Sequence, residues 1–574
     1  MWLIDCNTYQ LRQHDINGPS PTPYLILSHT WRDDEVTHAE MKNSLDVAKQ
    51  KKGFAKIKGI SDVAVKQGYT HVWVDTCCID KTSSAELTES INSMFHWYSN
   101  ADKCIVYLDD LTLTTGLPSE DQLRPCRWFT RSWTLQELVA PEKVDFYDSL
   151  WQFSGTKDQL RDKLHKITRV DLDVLGNPEK LTEIPVGKRM SWAANRKSTR
   201  IEDRAYSLLG IFQIHMPLIY GEGHQAFHRL QECIAQKTND MSLFAWKKPL
   251  ADASQTQYSG LFAKHPLWFN EAASITNIID PVIPSPSWII TNTGLEMYTS
   301  LEWSQQKTGY RLHLHCTYQH LIADDSLNEG TGDPSVLTIW LRKTRSGFIR
   351  YRPFELPLTR QSTMTFGNPA VIRISYSIST ADLTETTSFY HPQAHLLTSS
   401  INFKWDNVRA PQLGFKFTTK YYPEHLWDSQ RLCFLTSKRY GFIGLVEITI
   451  SAPTGVSAWE GTCFVLCGLM LVDGSPHSWI LPLVQNDDGS IDGLGYKRCD
   501  LINPYMLSTI GVQLRTKFRN EEVLPPSSGE IILRYGKDGF LQLSASVLSR
   551  HDQLEMGSTN IITIHHVWTP QPSG

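Results

Sequence analysis

The stretch THVWVDTCCIDKTSSAELTESINSMFHWYSNADKCIVYLDDL, Thr70 to Leu111, decides the fold of the N-terminal region. It begins with consecutive apolar residues that run up to Asp75, a pattern typical of a strand buried on both faces. Ser83 and Glu86 then match a capping box, which predicts the start of a helix. Residues 103–111 form a second apolar run. The order strand, helix, strand predicts a β-α-β unit with parallel strands.

The same pattern continues on both sides of this unit. YLILSHTW, Tyr24 to Trp31, predicts a further buried strand, and residues 54–67 have the apolar spacing of a helix that Gly68 ends. KVDFYD, 143–148, predicts another strand, and the first fourteen residues predict an N-terminal hairpin. We therefore expect an α/β fold, with a parallel sheet between two layers of helices and its core at residues 1–150.

Polar side chains gather where the predicted parallel strands end. Ligands of such sheets bind beyond the carboxyl ends of the strands. The first strand ends near Ser28 and Trp31, and the second ends at Asp75 with Cys77 close behind it. A structural reading stays open for the last two, because an aspartate can cap the next turn and a buried cysteine is usually inert. The pattern predicts a ligand pocket at this edge of the sheet.

RWFTRSWTLQELVAP, Arg127 to Pro141, follows the third strand and falls at the same edge. It places the carboxyl group of Glu137 among aromatic residues, with Arg131 and Trp133 close by. Such surroundings raise the pKa of a carboxyl group and hold flat ligands. The alternative is structural, because Thr134 and Glu137 also match a capping box. The motif by itself leaves both roles open.

The rest of the chain divides into two parts of different character. Residues 151–248 are predicted to be a helical extension, and a capping-box match at Thr199 to Glu202 predicts a helix over residues 201–212. Residues 249–574 contain short β-rich runs separated by Gly, Pro, Asp and Ser. This spacing predicts a sandwich or barrel-like domain, in one or two subdomains.

Composition and charge argue against several function classes. The net charge is −4, so there is no basic field for nucleic acid. The longest apolar run, Cys463 to Val472, has about half the length of a membrane span. The 11 cysteines lack the spacing of a secreted disulfide scaffold, which favours a cytoplasmic protein. His224 and His228 lack the glutamate of zinc proteases between them, so we expect no metal, and no cofactor motif is present.

Four motifs resemble those of the fungal heterokaryon-incompatibility (HET) domain, in the order of that family. They are YLILSHTWRDDEV, HVWVDTCCIDKTSSAELTESINSMFHWYSNADKCIVYLDDL, RWFTRSWTLQELVAP and RIEDRAYSLLGIF, and the resemblance covers about residues 1–246. It implies a role in fungal non-self recognition, a form of innate immunity in which such proteins trigger programmed cell death after cell fusion. It also implies a TIR-like sheet of the flavodoxin type, in agreement with the strand and helix pattern.

The resemblance also implies a chemistry. Some TIR domains cleave NAD+ at the nicotinamide–ribose bond, and Glu137 corresponds to their catalytic glutamate. The chain would then be an NAD+ glycohydrolase, with NAD+ as a substrate and with six substrate-binding residues, Ser28, Trp31, Asp75, Cys77, Arg131 and Trp133. Nicotinamide leaves as a neutral group, so one carboxylate facing the oxocarbenium-like transition state is sufficient.

The alternative function is a non-enzymatic signalling adaptor that acts by homotypic association. For either function we expect self-association through the HET domain, and an unknown trigger or incompatibility partner received by residues 249–574. One departure from the family stands at Arg32, where most members have glycine. We expect the arginine side chain to narrow or charge the mouth of the pocket.

Overall fold

The chain forms two compact units. The computed structural model describes residues 1–15, 22–250, 257–278, 286–304, 309–318, 335–344, 347–360, 369–379, 401–406, 416–428, 433–434, 442–451, 460–472, 475–486, 490–491, 496–520, 526, 528–535, 539–552 and 557–570. The first unit comprises Met1–Met297, Leu312–Trp340 and Tyr351–Met364, and the second comprises Tyr298–Arg311, Leu341–Arg350 and Thr365–Gly574.

A seven-stranded sheet organises the first unit. Its strands are β1 Trp2–Asp5, β2 Leu11–Gln13, β3 Leu25–His29, β4 His71–Trp73, β5 Lys103–Tyr107, β6 Val144–Tyr147 and β7 Phe153–Thr156. The spatial order is β2-β1-β4-β3-β5-β6-β7. Strands β4, β3, β5 and β6 are parallel, while β1, β2 and β7 run antiparallel to their neighbours. The predicted parallel sheet and the predicted N-terminal hairpin are both confirmed.

The order of the parallel strands creates a position for a ligand. Numbered among themselves, they lie in the order 2-1-3-4, which begins like the 2-1-3-4-5 order of flavodoxin-like sheets. The connection from β3 to β4 runs to one side of β3 and the connection from β4 to β5 returns to the other, so the strand order reverses at β3, where such sheets bind ligands beyond the carboxyl ends of their strands. In the register of these two strands, Ser28 lies opposite Val106.

Helices cover the sheet and continue beyond it. Six lie within the first 150 residues: α1 His38–Asn43, α2 Leu45–Gln50, α3 Phe54–Lys66, α4 Ser84–Asn100, α5 Glu120–Leu123 and α6 Thr134–Val139. Six more follow: α7 Arg161–Thr168, α8 Leu172–Gly176, α9 Val186–Ser191, α10 Asp203–Tyr206, α11 Leu209–Phe212 and α12 Gln225–Lys237. Short 3-10 helices occupy Arg127–Thr130, Pro178–Glu183, Met241–Phe244 and Pro266–Ser274.

The helix α4 forms where its capping signal predicts it. The Ser83 hydroxyl accepts the backbone N–H of Glu86 at 3.3 Å, which satisfies one of the free amides of the first turn. Its apolar face packs on the sheet, where the ring of Trp73 on β4 meets Trp97 and Tyr98 edge-on, at 5.7 and 5.9 Å. Local capping and long-range packing therefore agree for this helix.

The capping match at Thr199 to Glu202 does not produce the predicted helix. The segment contains two short helices, α10 and α11, and α10 has no side-chain cap. The carboxylate of Glu202 instead accepts the backbone N–H groups of Gly221 at 2.8 Å and Gly223 at 3.0 Å. Both glycines have positive φ, as expected in a tight turn. Glu202 therefore stabilises a turn that is distant in sequence and lies beside it only in the folded protein.

The first unit extends past the predicted helical region. Strand β7 lies inside residues 151–248, so that region also adds an edge strand to the sheet. Trp246 donates its indole N–H to Leu261 O at 3.0 Å, and Gln231 exchanges two hydrogen bonds with the backbone of Ala263. Residues 257–278 thus pack in the same unit as α12. Residues 251–256, beside the predicted boundary at 248/249, lie outside the described part of the chain.

Strands dominate from residue 258 onward, which confirms the predicted β-rich character. They span Tyr258–Ser259, Ile275–Asn277, Trp288–Ile290, Gly294–Thr299, Glu302–Ser304, Gly309–His313, Cys316–Tyr318, Ser335–Thr344, Gly347–Tyr351, Leu358–Arg360, Ala370–Ser375, Ile401–Asp406, Lys416–Tyr422, Trp427–Asp428, Cys433–Phe434, Ile443–Ser451, Glu460–Val472, Ser475–Val484, Ser528–Tyr535, Gly539–Asp552 and Gly557–Pro570. Four of these, Lys416–Tyr422 and the three from Ile443 to Val484, form an antiparallel sheet in chain order.

The second unit also contains a helix that the strand pattern did not predict. It spans Pro504–Asn520, preceded by the short helix Arg498–Ile502. Leu507, Ile510 and Leu514 recur at helical spacing and are buried against the four-stranded sheet, in one core with Leu445 and Trp479. Among the described residues, no helix has the length and apolar character needed to cross a bilayer.

Candidate functional site

A cavity of about 680 Å³ opens in the first unit at the carboxyl ends of β3 and β4. Its volume lies in the usual range for small-molecule sites. The strand ends contribute Thr30, Trp31 and Asp75. Met94 of α4 and Glu137 of α6 also line it. A wall of residues 197–203 completes the cavity, which therefore lies where an open parallel sheet binds its ligands.

Glu137 lines the cavity, and a chain of buried hydrogen bonds holds its carboxyl group. The indole of Trp128 donates to the Ser28 hydroxyl at 2.7 Å, and that hydroxyl donates to a carboxyl oxygen of Glu137. The Glu137 side chain is only 5% exposed. Strand β3 and helix α6 bring these groups together, so the contact joins residues that are 109 positions apart.

The capping box of Thr134 and Glu137 does not form. Helix α6 begins after Trp133 without a side-chain cap. The Thr134 hydroxyl donates to Trp128 O at 2.5 Å and to Arg131 O at 3.0 Å. Glu137 is therefore free of the local structural role that its sequence pattern allows, and its carboxyl group is turned toward Ser28 instead.

Burial raises the pKa of Glu137 from 4.5 to about 7. The positive charge of Arg131 opposes this shift, the negative charge of Asp75 adds to it, and the hydrogen bonds from Ser28 and Tyr98 lower it. The carboxyl group therefore exchanges its proton near neutral pH, which is the property expected of a group that takes part in acid–base or charge-stabilising chemistry.

Trp31 forms an aromatic surface at the mouth of the cavity. Its indole N–H donates to Asp75 at 2.8 Å, which fixes the orientation of the ring. The ammonium group of Lys81 lies 3.7 Å from the ring centre, and the guanidinium carbon of Arg131 lies 5.1 Å from it. Two cations therefore flank a ring that is 39% exposed, an arrangement suited to a flat ligand with negative groups.

Asp75 carries the negative charge beside a neutral histidine. The side-chain nitrogen Nε2 of His29 lies 3.8 Å from Asp75 Oδ1, and burial lowers the pKa of His29 to about 3. Burial raises the pKa of Asp75, but the surrounding basic side chains and the indole N–H outweigh it and leave the pKa below its ordinary value. The two carboxyl groups of the cavity therefore differ, because the pKa of Asp75 is lowered and that of Glu137 is raised to about 7.

The segment after α9 is joined to the Glu137 region by main-chain and side-chain bonds. The Lys197 N–H donates to Thr130 O at 2.6 Å, and the Ser132 N–H donates to Lys197 O at 2.9 Å. The buried guanidinium of Arg196 donates to Arg131 O at 2.8 Å and to the Thr134 hydroxyl at 2.9 Å. These bonds fix residues 196 and 197 at the start of the wall that lines the cavity.

Residues 24–126 match the family model described as heterokaryon incompatibility protein (HET). Over 231 residues the chain is 46% identical to vegetative incompatibility protein HET-E-1 of Podospora anserina, which covers 39% of this chain and 17% of that relative. The chain therefore contains a HET-domain region, which the family model matches at residues 24–126. Residues 225–277 match a domain of unknown function, DUF8212. No solved structure matches the chain.

The first unit brings five of the predicted site residues to one cavity, Trp31, Asp75, Arg131, Trp133 and Glu137. Ser28 lies behind the cavity and acts on it through Glu137. The buried thiol of Cys77 points to Val74 O at 3.8 Å and does not line the cavity, which fits the structural alternative for this cysteine.

Arg32 does not narrow the pocket. Its guanidinium binds Asp109 at the end of β5, with N–O distances of 2.5 and 3.1 Å, and it lies outside the cavity lining. The sequence analysis did not identify several of the residues that line the cavity: Lys81, Met94, Arg127, Lys197, Arg200, Asp203 and Tyr220. Five of them lie in motifs that resemble the HET family, and this resemblance was the available signal: Lys81, Met94, Arg127, Arg200 and Asp203.

Proposed function

We propose that this chain acts in vegetative incompatibility, as an effector whose HET domain cleaves NAD+ at the nicotinamide–ribose bond. The first part is supported by the 46% identity to a vegetative incompatibility protein, of which the matched region spans 17%. The second part is supported above all by Glu137, a buried carboxyl group that lines a cavity at the carboxyl ends of parallel strands. The TIR-like character of the sheet belongs to this proposal and is supported by its 2-1-3-4 strand order.

The groups of the cavity suit this reaction. Nicotinamide departs with the bonding electron pair of the C1′–N bond and becomes neutral, while positive charge develops on the ribose. The ionised Glu137 stabilises this charge and accepts a proton from the water that adds to C1′, so that ADP-ribose forms and one proton is released. In this proposal Asp75 accepts hydrogen bonds from ribose hydroxyls and the ring of Trp31 stacks on the ligand, which is supported by their positions in the cavity lining. Arg131 and Trp133 shape the pocket around the bond that breaks.

The test is nicotinamide release by the purified chain, forced to self-associate and supplied with NAD+. We expect turnover in the wild type, its loss in Glu137→Gln, and no loss in Glu89→Gln, which alters an exposed glutamate of α4. Because the ionised form of Glu137 acts, turnover is expected to rise as the pH passes through about 7. Absence of turnover in the wild type, or equal turnover in Glu137→Gln, would overturn the enzymatic proposal.

A second candidate is a signalling adaptor that works by homotypic association of HET domains. It is favoured by the burial of the Trp128–Ser28–Glu137 chain, which also suits a fixed core network. The adaptor predicts that Glu137→Gln self-associates and triggers cell death as the wild type does. Under either candidate we place the protein in the cytoplasm, with the trigger or incompatibility partner received by residues 249–574.

A further inference from the structure

The charged side chains that line the cavity are unevenly distributed. Five basic side chains line it against three acidic ones. Asp75, after β4, and Glu137, on α6, are half-buried and buried, and the cations Lys81 and Arg131 act on Asp75. The basic residues Arg127, Lys197 and Arg200 are exposed on the wall, where Asp203 is the one acidic lining residue. The wall therefore carries three exposed cations against one carboxyl group, whereas two cations and two carboxyl groups balance in the rest of the lining.

Main-chain contacts position two of the wall cations, and a contact with an aromatic ring positions the third. The Arg127 N–H donates to Asp110 at 2.8 Å, which anchors the start of its 3-10 turn just beyond β5. Lys197 is paired through its backbone with Thr130 in the same turn, at 2.6 Å. The guanidinium of Arg200 lies 4.4 Å from the ring centre of Tyr220, another lining residue.

The side chains of Arg127 and Lys197 differ from the other cations that line the cavity. In the part of the chain that the structure describes, the side chains of Arg127 and Lys197 make no hydrogen bond and no ion pair. Arg131 and Lys81, by contrast, already contact the Trp31 ring. A lysine and an arginine that line a cavity and lack internal partners are available to a phosphate-bearing ligand, which Arg binds through a planar fork and Lys as a point charge.

We propose that Arg127, Lys197 and Arg200 form a diphosphate-binding subsite, so that the cavity selects a nucleotide with a diphosphate over a nucleoside without one. The proposal rests on the proposed function, because it assigns the diphosphate of the dinucleotide to the basic wall. The nicotinamide riboside is assigned to the part of the cavity lined by Asp75 and Glu137. The subsite goes beyond the proposed function because it names a class of ligand, nucleotides with a diphosphate, that the wall binds whether or not a bond is cleaved.

Binding of ADP-ribose to the full-length chain tests the subsite without any turnover. Calorimetry is expected to show that Arg127→Ala/Lys197→Ala weakens ADP-ribose binding about tenfold or more, because two charge-assisted contacts are lost. Adenosine, which has no phosphate, should bind the wild type and this variant equally. Wild-type affinity for ADP-ribose should fall as salt is raised, and the variant should respond less.

Matched controls separate charge from folding. Lys66→Ala/Lys166→Ala removes the same net charge from exposed positions outside the cavity and should leave ADP-ribose binding unchanged. Lys197→Arg keeps the positive charge and should retain most of the affinity that Lys197→Ala loses. Glu137→Gln should bind ADP-ribose while it fails to release nicotinamide, which separates the diphosphate subsite from the catalytic carboxyl group.

The outcomes separate this proposal from the proposed function. No ADP-ribose binding by the wild type, or equal binding by Arg127→Ala/Lys197→Ala, overturns the diphosphate subsite, even if NAD+ is cleaved. Binding that depends on both cations, in a protein that never releases nicotinamide, supports the subsite and overturns the NAD+ glycohydrolase.

Discussion

Replacing Glu137 with glutamine is expected to stabilise the first unit at alkaline pH and to change its stability little at acid pH. The carboxyl group is 5% exposed, and burial raises its pKa from 4.5 to about 7. Ionising it inside the protein costs free energy that the uncharged amide of glutamine does not. The substitution therefore removes a cost that exists only while Glu137 is charged.

The sign and size of the effect follow from this pKa. Between pH 4.5 and about 7 the native unit binds more protons than the unfolded chain. The free energy of unfolding therefore falls as the pH rises through this interval, and the loss is complete above it. At about 1.4 kcal/mol per pKa unit, the full loss is about 3 kcal/mol. Between pH 5 and pH 8, Glu137→Gln should gain about 2.5 kcal/mol relative to wild type.

Hydrogen exchange measured by mass spectrometry on peptides of β3 and β5 is the appropriate assay. It reports the opening of the first unit alone, whereas a melting curve of a chain with two compact units has no single unfolding free energy. Wild type, Glu137→Gln and the exposed control Glu89→Gln are compared at each pH. A stability difference that stays constant with pH would refute the raised pKa of Glu137, and one that grows toward acid pH would reverse its sign.

Three further substitutions have defined outcomes. Ser28→Ala removes a hydrogen bond that lowers the pKa of Glu137, so the pH midpoint of nicotinamide release should move upward; an unchanged midpoint would contradict the coupling. Gly59→Ala should destabilise the first unit by about 3 kcal/mol in the same exchange assay, because the added Cβ would lie 2.0 Å from the ring of Trp151. Arg32→Gly should cost about 1 kcal/mol, since the Arg32 side chain of this ion pair is 44% exposed although that of Asp109 is 13% exposed. It should also leave nicotinamide release within about twofold of wild type, because the residue does not line the cavity.

The order of strands and helices in the first unit could be predicted from the sequence, because each strand or helix has its own local residue pattern. The consecutive apolar residues of β3, β4 and β5 mark buried strands, and the Ser83 cap marks the start of α4. Short-range patterns failed where a tertiary contact overrode them. Glu202 matches a local cap but binds the distant turn at Gly221. The helix Pro504–Asn520 was missed because the strand-rich runs around it dominated the interpretation.

The candidate site could be predicted only in part, for the same reason. Residue types at the strand ends pointed to Asp75 and Glu137, since parallel strands bring their carboxyl ends to one edge. The Ser28 to Glu137 hydrogen bond, however, joins residues 109 positions apart. The basic wall depends on Lys197 docking beside Thr130. No local pattern encodes such contacts, because they follow from the order of strands in the sheet and from how the later helices pack on it. The sequence by itself determined the elements and the candidate carboxyl group; the tertiary structure alone decided its buried surroundings, its raised pKa and the charges that face it.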